Sequence, residues 1–195
     1  MKKPPNHSRG FTLIELMVSV AIAAILMMVA VPSMTSFMRN SELTSFANTM
    51  LSSMNAARGE AMKRGSYAMV VPANGTSWDS GWVVFIDVNR SRAYEVATDI
   101  RISSQAAKPS YLTITGSGSA GATAPYIMFD ASGYSKLTGT AGFGASTFEI
   151  KRNDVSGTPL LDQTRMLKIA STGRARICTP KTSSDATCDA TTSTF

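Results

Sequence analysis

The sequence predicts an α+β fold: one long N-terminal helix packed on a β-rich globular domain. Three observations lead there. Residues 11–31, FTLIELMVSVAIAAILMMVAV, form a nearly unbroken apolar run. From Ser33 to Arg64 the apolar positions recur with a 3.6-residue period. Beyond Gly65, short segments rich in Val, Ile, Tyr, Phe and Thr alternate with turn residues. The 195 residues suffice for one domain plus an appendage. With 44% hydrophobic and 16% charged residues, the composition excludes a disordered chain and a disulfide-stapled miniprotein.

The apolar run comes first. Twenty-one residues at ~1.5 Å each span about 31 Å, the thickness of a bilayer's hydrocarbon core. Its flank, MKKPPNHSRG, carries Lys2, Lys3 and Arg9 and no acid. By the positive-inside rule this end stays cytoplasmic and the rest of the chain crosses the membrane. A secretory signal peptide needs a small-x-small cleavage site after the run, and Ala30-Val31-Pro32 is a poor one. Glu15 is out of place in a plain anchor, since a carboxylate within a spanning helix costs about 2.5–3.5 kcal/mol. Such a residue calls for a partner.

Arg9-Gly10-Phe11-Thr12-Leu13-Ile14-Glu15-Leu16 resembles the class III signal of type IV pilins and type II secretion pseudopilins. The resemblance implies that a membrane-embedded prepilin peptidase cuts between Gly10 and Phe11 and methylates the new amine. The mature chain then has 195 − 10 = 185 residues. It also implies assembly with other pilins into a fibre rooted in the inner membrane. The chemistry of the residues agrees. Cleavage ahead of the apolar run keeps the anchor and creates a positive amine four residues from Glu15. The amine of one subunit can then neutralise Glu15 of another and remove an unpaired charge from lipid.

Pro32 follows the run and deletes an N–H that would bond the Met28 carbonyl, so a bend or local break is expected there. The second half of the helix, 32–64, is read as amphipathic. Its stripe is formed by residues 34, 37, 38, 43, 46, 50, 51, 54 and 62, with Ala47, Ala57 and Ala61 between them. Lys63, Arg64 and Gly65 form a stop signal. A helix over 11–64 is about 80 Å long. Eight methionines lie on it, at 17, 27, 28, 34, 38, 50, 54 and 62, as fillers of irregular apolar interfaces.

Strands are predicted at Tyr67–Val71, Gly81–Ile86, Tyr111–Thr115, Tyr126–Phe129, Phe148–Lys151, Met166–Ala170 and Ala175–Cys178. The small-residue stretches Thr115–Ala124 and Gly139–Thr147 are expected to be mobile loops. The domains are thus a leader (1–10), a transmembrane helix (11–31), an amphipathic helix (32–64), a β-rich periplasmic domain (65–180) and a Ser/Thr-rich tail (181–195). Gly81-Trp82-Val83-Val84-Phe85-Ile86-Asp87-Val88-Asn89 resembles the G-W-x-V-F-x-D-x-N segment of the H-type branch. That branch contains the secretion pseudopilin H and the minor pilins FimT and FimU. The lollipop-shaped pilin fold is what both resemblances imply.

Other chemistry is scarce. Asp87-x-Asn89-x-Ser91 looks like the start of a calcium loop, but Arg92 stands at the glycine position and Thr98 at the glutamate position. A backbone-capping turn is the expected reading, and no metal or cofactor is expected. Cys178 and Cys188 are expected to form a disulfide in an oxidising compartment. Cleavage removes His7, the single histidine, and with it His-based catalysis and metal binding. There is no phosphate-binding glycine loop. The chain is not expected to be an enzyme.

Charge is uneven. Residues 151–181 hold Lys151, Arg152, Arg165, Lys168, Arg174, Arg176 and Lys181 against Asp154 and Asp162, a balance of 7 − 2 = +5. Residues 65–150 balance at 5 − 6 = −1. Gly173-Arg174-Ala175-Arg176 lies between two strand-like runs, and strand alternation would put Arg174 and Arg176 on one side. Two readings of this segment stay open: non-specific DNA binding through Arg174, Arg176, Lys168 and Lys181, and a solvated basic face that balances acidic neighbours or contacts another subunit. Three settings follow: a minor pilin that primes a type IV pilus, with or without DNA uptake, a type II secretion pseudopilin H acting in protein export, and a DNA-binding module on a pilin scaffold.

Overall fold

The computed structural model describes residues 10–139, 142–156, 159–183, 185, 187 and 188. The leader through Arg9, part of the Gly139–Thr147 stretch and most of the 181–195 tail lie outside the described residues. The order of elements is α1 (Leu13–Arg64), β1 (Tyr67–Pro72), β2 (Trp82–Asp87), β3 (Ile100–Gln105), β4 (Leu112–Ser117), β5 (Ile127–Phe129), β6 (Ser146–Arg152), α2 (Pro159–Asp162), β7 (Thr164–Ile169) and β8 (Ala175–Cys178).

The chain divides into two units, Met1–Arg39 and Asn40–Phe195. In the first, α1 is long and apolar enough to cross a membrane. Among the described side chains, the large apolar ones from Phe11 to Met38 are exposed. Met34, Phe37 and Met38, expected in the amphipathic stripe, belong to the exposed apolar surface. Met62, also assigned to the stripe, is 46% exposed. Of the bend or local break expected at Pro32, the break is absent: α1 is one helix from Leu13 to Arg64. Losing one N–H removes a single rung, and the rungs on either side keep the helix continuous.

In the second unit, residues 40–64 of α1 pack against two four-stranded antiparallel sheets, ordered β3-β2-β1-β5 and β4-β6-β7-β8. The buried stripe is Leu43, Phe46, Ala47, Met50, Met54, Ala57 and Ala61. Three alanines on that stripe let the sheets approach the helix axis. The facing side chains are Ala68, Val70, Trp82, Val84, Ile86, Ile127 and Phe129 in the first sheet, with Leu112, Phe148, Ile150, Leu167 and Ile169 in the second. Trp82 locks the two together. Its ring meets Phe46 edge-on at 5.4 Å, and its indole N–H donates to Ser53 Oγ at 2.9 Å. The outer face of the first sheet carries a smaller cluster of Met69, Phe85 and Met128.

All seven expected strands are present, with ends shifted by up to two residues. β3 was not expected. It is an edge strand whose first two residues, Ile100 and Arg101, are exposed. A bulge between Val84 and Phe85 adjusts its pairing with β2. The stretch Thr115–Ala124, expected to be a mobile loop, instead ends β4 and forms a 3-10 turn at Gly118–Gly121. The cause is tertiary: Trp78, itself in a 3-10 turn, donates its indole N–H to the Ala120 carbonyl at 2.8 Å and meets Phe148 edge-on at 4.9 Å.

Candidate functional sites

The first site is the start of α1. Thr12 is the N-cap and Glu15 stands three residues into the helix. Glu15 Oε2 accepts from the Thr12 N–H at 3.0 Å and the Thr12 hydroxyl at 2.9 Å, while Thr12 Oγ1 accepts from the Glu15 N–H at 3.3 Å. That is a capping box. Its sequence signal is Thr12-x-x-Glu15 directly before the apolar run. Around it, Phe11, Leu13, Ile14 and Leu16 are exposed.

The second site is the basic C-terminal segment, where the structure sorts the cations. Arg152 is 3% exposed and makes two bonds to Asp154, at 2.8 and 2.7 Å, and another to Gln163. The Asp154 bond raises its pKa above the ordinary arginine value. Lys151 pairs with Glu149 at 3.1 Å. Arg165 is turned toward α1, where Nη2 donates to Asn40 and Thr44 at 3.3 and 3.1 Å, and burial pushes its pKa down. Lys168 corrects the sequence reading: it is fully buried, so it is not a surface contact for DNA. It lies opposite Arg176 across the β7–β8 ladder, on the face that Met166 and Cys178 share.

Arg174 and Lys181 remain exposed. Arg174 is not in a strand, since β8 begins at Ala175. It sits in the β7–β8 turn, where Ala170 N–H donates to the Arg174 carbonyl at 2.9 Å and Gly173 N–H to the Ala170 carbonyl at 2.8 Å. Gly173 is required there. Its φ is +78°, and a Cβ would lie 1.8 Å from the Gly133 carbonyl oxygen. Arg58 of α1 binds this junction, donating Nε to the Gly133 carbonyl at 2.9 Å and Nη2 to the Thr172 carbonyl at 3.4 Å.

Arg176 is partly buried and donates Nη2 to the Thr187 carbonyl at 2.6 Å. That carbonyl belongs to the loop closed by the Cys178–Cys188 disulfide, whose Cα atoms are 5.9 Å apart. Asp185 caps the loop by accepting from Lys181 N–H and Thr187 N–H, both at 3.1 Å, and from the Thr187 hydroxyl at 2.7 Å. The Thr187 hydroxyl, followed by the two backbone N–H groups, lowers the Asp185 pKa.

The loop read as calcium-like caps its own backbone. Asp87 accepts from Ser91 N–H and Arg92 N–H at 3.0 and 3.1 Å, and Asn89 Oδ1 accepts from Ser91 N–H at 3.1 Å. Among the described residues, no cluster of three metal-ligating side chains occurs. Sequence reasoning missed the cations on this loop. Arg90, Arg92 and Lys136 line one cavity, although they are up to 46 positions apart (136 − 90).

A long helix packed on antiparallel sheets, with an apolar start to that helix, defines a pilin-like subunit. The family described as type II transport protein GspH matches residues 47–183, and a prokaryotic N-terminal methylation motif matches residues 5–31. The chain belongs to the GspH family. Among solved structures it is similar to the type IV minor pilin FimU of Pseudomonas aeruginosa. That match has a TM-score of 0.52 and 19% identity, and it covers 75% of this chain and 98% of FimU. A second crystal form of FimU aligns with a TM-score of 0.48 at 18% identity. The chain is also 57% identical over 35 residues to competence protein ComGC of Halalkalibacterium halodurans. That match spans 18% of this chain and 34% of ComGC, about a third of its length. A signal of this kind implies a processing peptidase and assembly with other pilins, and with the apolar helix it fits inner-membrane anchoring.

Proposed function

We propose that the chain is a structural subunit, a minor pilin, of an inner-membrane-rooted type IV pilus-like fibre, and that it binds DNA without sequence preference. Prepilin peptidase cuts between Gly10 and Phe11 and methylates Phe11. The leader stays cytoplasmic and the globular domain lies in the periplasm. Glu15 accepts the methylated amine of a neighbouring subunit, and Pro32 supplies a missing N–H where the anchor adjusts on assembly. The observation that supports this reading is the presence, in one chain, of the methylation motif and the GspH domain. For DNA, the support is Arg174, exposed on a turn that Gly173 and Arg58 hold, with Lys181 exposed farther along the same C-terminal segment. Arginine suits phosphate through its forked donors. The likeness to a protein named for competence points the same way. The type II transport description of the family favours a second reading, a pseudopilin acting in protein export.

Mass spectrometry of membrane-purified protein tests processing; the expected N-terminus is N-methylated Phe11. Glu15→Ala is expected to insert normally and enter fibres poorly, and normal incorporation would remove its pairing role. Titration of duplex DNA at several salt concentrations tests the rest. Binding is expected to weaken steeply with salt, and Arg174→Gln with Arg176→Gln should flatten the slope by about one to two units, at ~0.9 per phosphate contact. Absent binding, together with a secretion defect in a deletion strain, would select the export reading.

A further inference from the structure

Behind the β2–β3 loop lies a cavity of about 340 Å³ lined by Arg90, Arg92 and Lys136 over a floor of Tyr67, Met128 and Leu137. Arg90 and Arg92 both have left-handed backbone, with φ of 58° and 67°. An L side chain in that region costs about 1–2 kcal/mol. The Asp87 carboxylate enforces it by accepting the Ser91 and Arg92 N–H groups. Among the described residues, Asp87 is the one acid lining the cavity; it is 1% exposed and has both oxygens engaged by backbone. The Arg90 guanidinium stacks 5.2 Å from the Tyr67 ring centroid, and Lys136 Nζ lies 4.1 Å from that of Phe143. Among the described residues, neither Arg90 nor Arg92 takes part in an ion pair. A turn that holds two exposed arginines beside one cavity presents their forked donors to an anion.

This cavity joins the Arg174 turn. An adjoining cleft shares Tyr67 and Arg90 and reaches the turn at Asp130–Ser132. The next residue, Gly133, meets Gly173, and Ser135 N–H donates to the Ser171 carbonyl at 3.0 Å. Lys136 follows directly. We propose that the Arg90–Arg92–Lys136 cavity takes a backbone phosphate of the nucleic-acid strand that Arg174 contacts, so that DNA lies across both turns. This rests on the DNA reading above. Two separated phosphate contacts also set the direction of the strand on the domain, which one turn cannot do.

The test is the full mature chain in detergent, titrated with a labelled duplex oligonucleotide at four salt concentrations. Arg90→Gln with Arg92→Gln should lower affinity about ten- to a hundredfold at low salt and reduce the salt slope by about one to two units. Lys136→Gln, which leaves the strained loop untouched, should reduce the slope by about one unit. Arg90→Lys with Arg92→Lys should keep the slope. If the wild-type chain binds and Arg174→Gln weakens it, but all cavity variants keep the wild-type slope, the cavity proposal falls and the DNA reading stands. If the wild-type chain binds no DNA, both fall.

Discussion

Two basic regions of this domain have opposite histories between sequence and structure. Residues 151–181 hold seven cations within 31 positions (181 − 151 + 1) and dominate any charge profile. Folding spends most of them internally: Arg152 on Asp154, Lys151 on Glu149, Arg165 on α1, and Lys168 in a fully buried site. Arg90, Arg92 and Lys136 sit in a stretch whose net charge is −1, yet they converge on one cavity. Net charge along a segment therefore says little about charge at a surface. What decides is which face of a strand a residue takes and whether a carboxylate lies within reach.

The largest expected effect comes from the junction between the regions. Gly173→Ala places a methyl group 1.8 Å from the Gly133 carbonyl oxygen at a φ of +78°. Strain and overpacking together should cost about 2–5 kcal/mol. Denaturant unfolding of the full chain measures it, and DNA affinity should fall with it because both turns shift. A loss below about 0.5 kcal/mol would show that the turns are not locked together.

Next is the clip. Cys178→Ser with Cys188→Ser frees the loop to which Arg176 is tied. The expected loss is about 2–3 kcal/mol for a loop of this length. Non-reducing peptide mapping of the wild type should find the two cysteines joined. The cavity built on Arg90 and Arg92 lies on the other sheet, so its share of the salt slope should persist in this variant.

Lys168→Ala separates burial from charge more sharply. It should destabilise the domain by about 1–3 kcal/mol, since a buried polar group and its packing are removed. DNA affinity per folded molecule should not change, in contrast to Arg174→Gln. A Lys168→Ala variant that keeps its stability and loses DNA binding would reverse the assignment of interior and surface.

These contrasts explain how much could be read without coordinates. The helix was legible because its periodicity and its apolar run are local. The seven expected strands were legible because β-branched and aromatic runs mark them. β3 escaped because Ile-Arg-Ile-Ser-Ser-Gln is weakly patterned and is a strand only through pairing with β2. The stretch Thr115–Ala124 escaped because its order comes from the indole of Trp78, a residue far away in sequence. At the candidate site, the Gly-Arg-Ala-Arg turn was visible as a motif. The burial of Lys168 and the convergence of Arg90 with Lys136 depend on register, which no local pattern encodes.

The smallest effect concerns acid. Asp185 holds the clip loop by accepting from Thr187 Oγ1 and from the N–H groups of Lys181 and Thr187, and these bonds lower its pKa. A carboxylate with a depressed folded-state pKa contributes stability that is present above its unfolded value of about 3.9 and is lost as pH falls through the folded value. The loop should therefore loosen only below about pH 4, and the contribution of Asp185 should be fully present and independent of pH at neutrality and above. Because Asp185 is solvent-accessible, the change should be slight in global unfolding. It should be clearer in amide exchange at Lys181 and Thr187, whose N–H groups lose their acceptor. Asp185→Asn should exchange faster at those two amides at pH 7 and show no further rise on acidification. Equal exchange in variant and wild type at pH 7 would show that the disulfide alone fixes the loop, and that Arg176 owes its position to the clip and not to the cap.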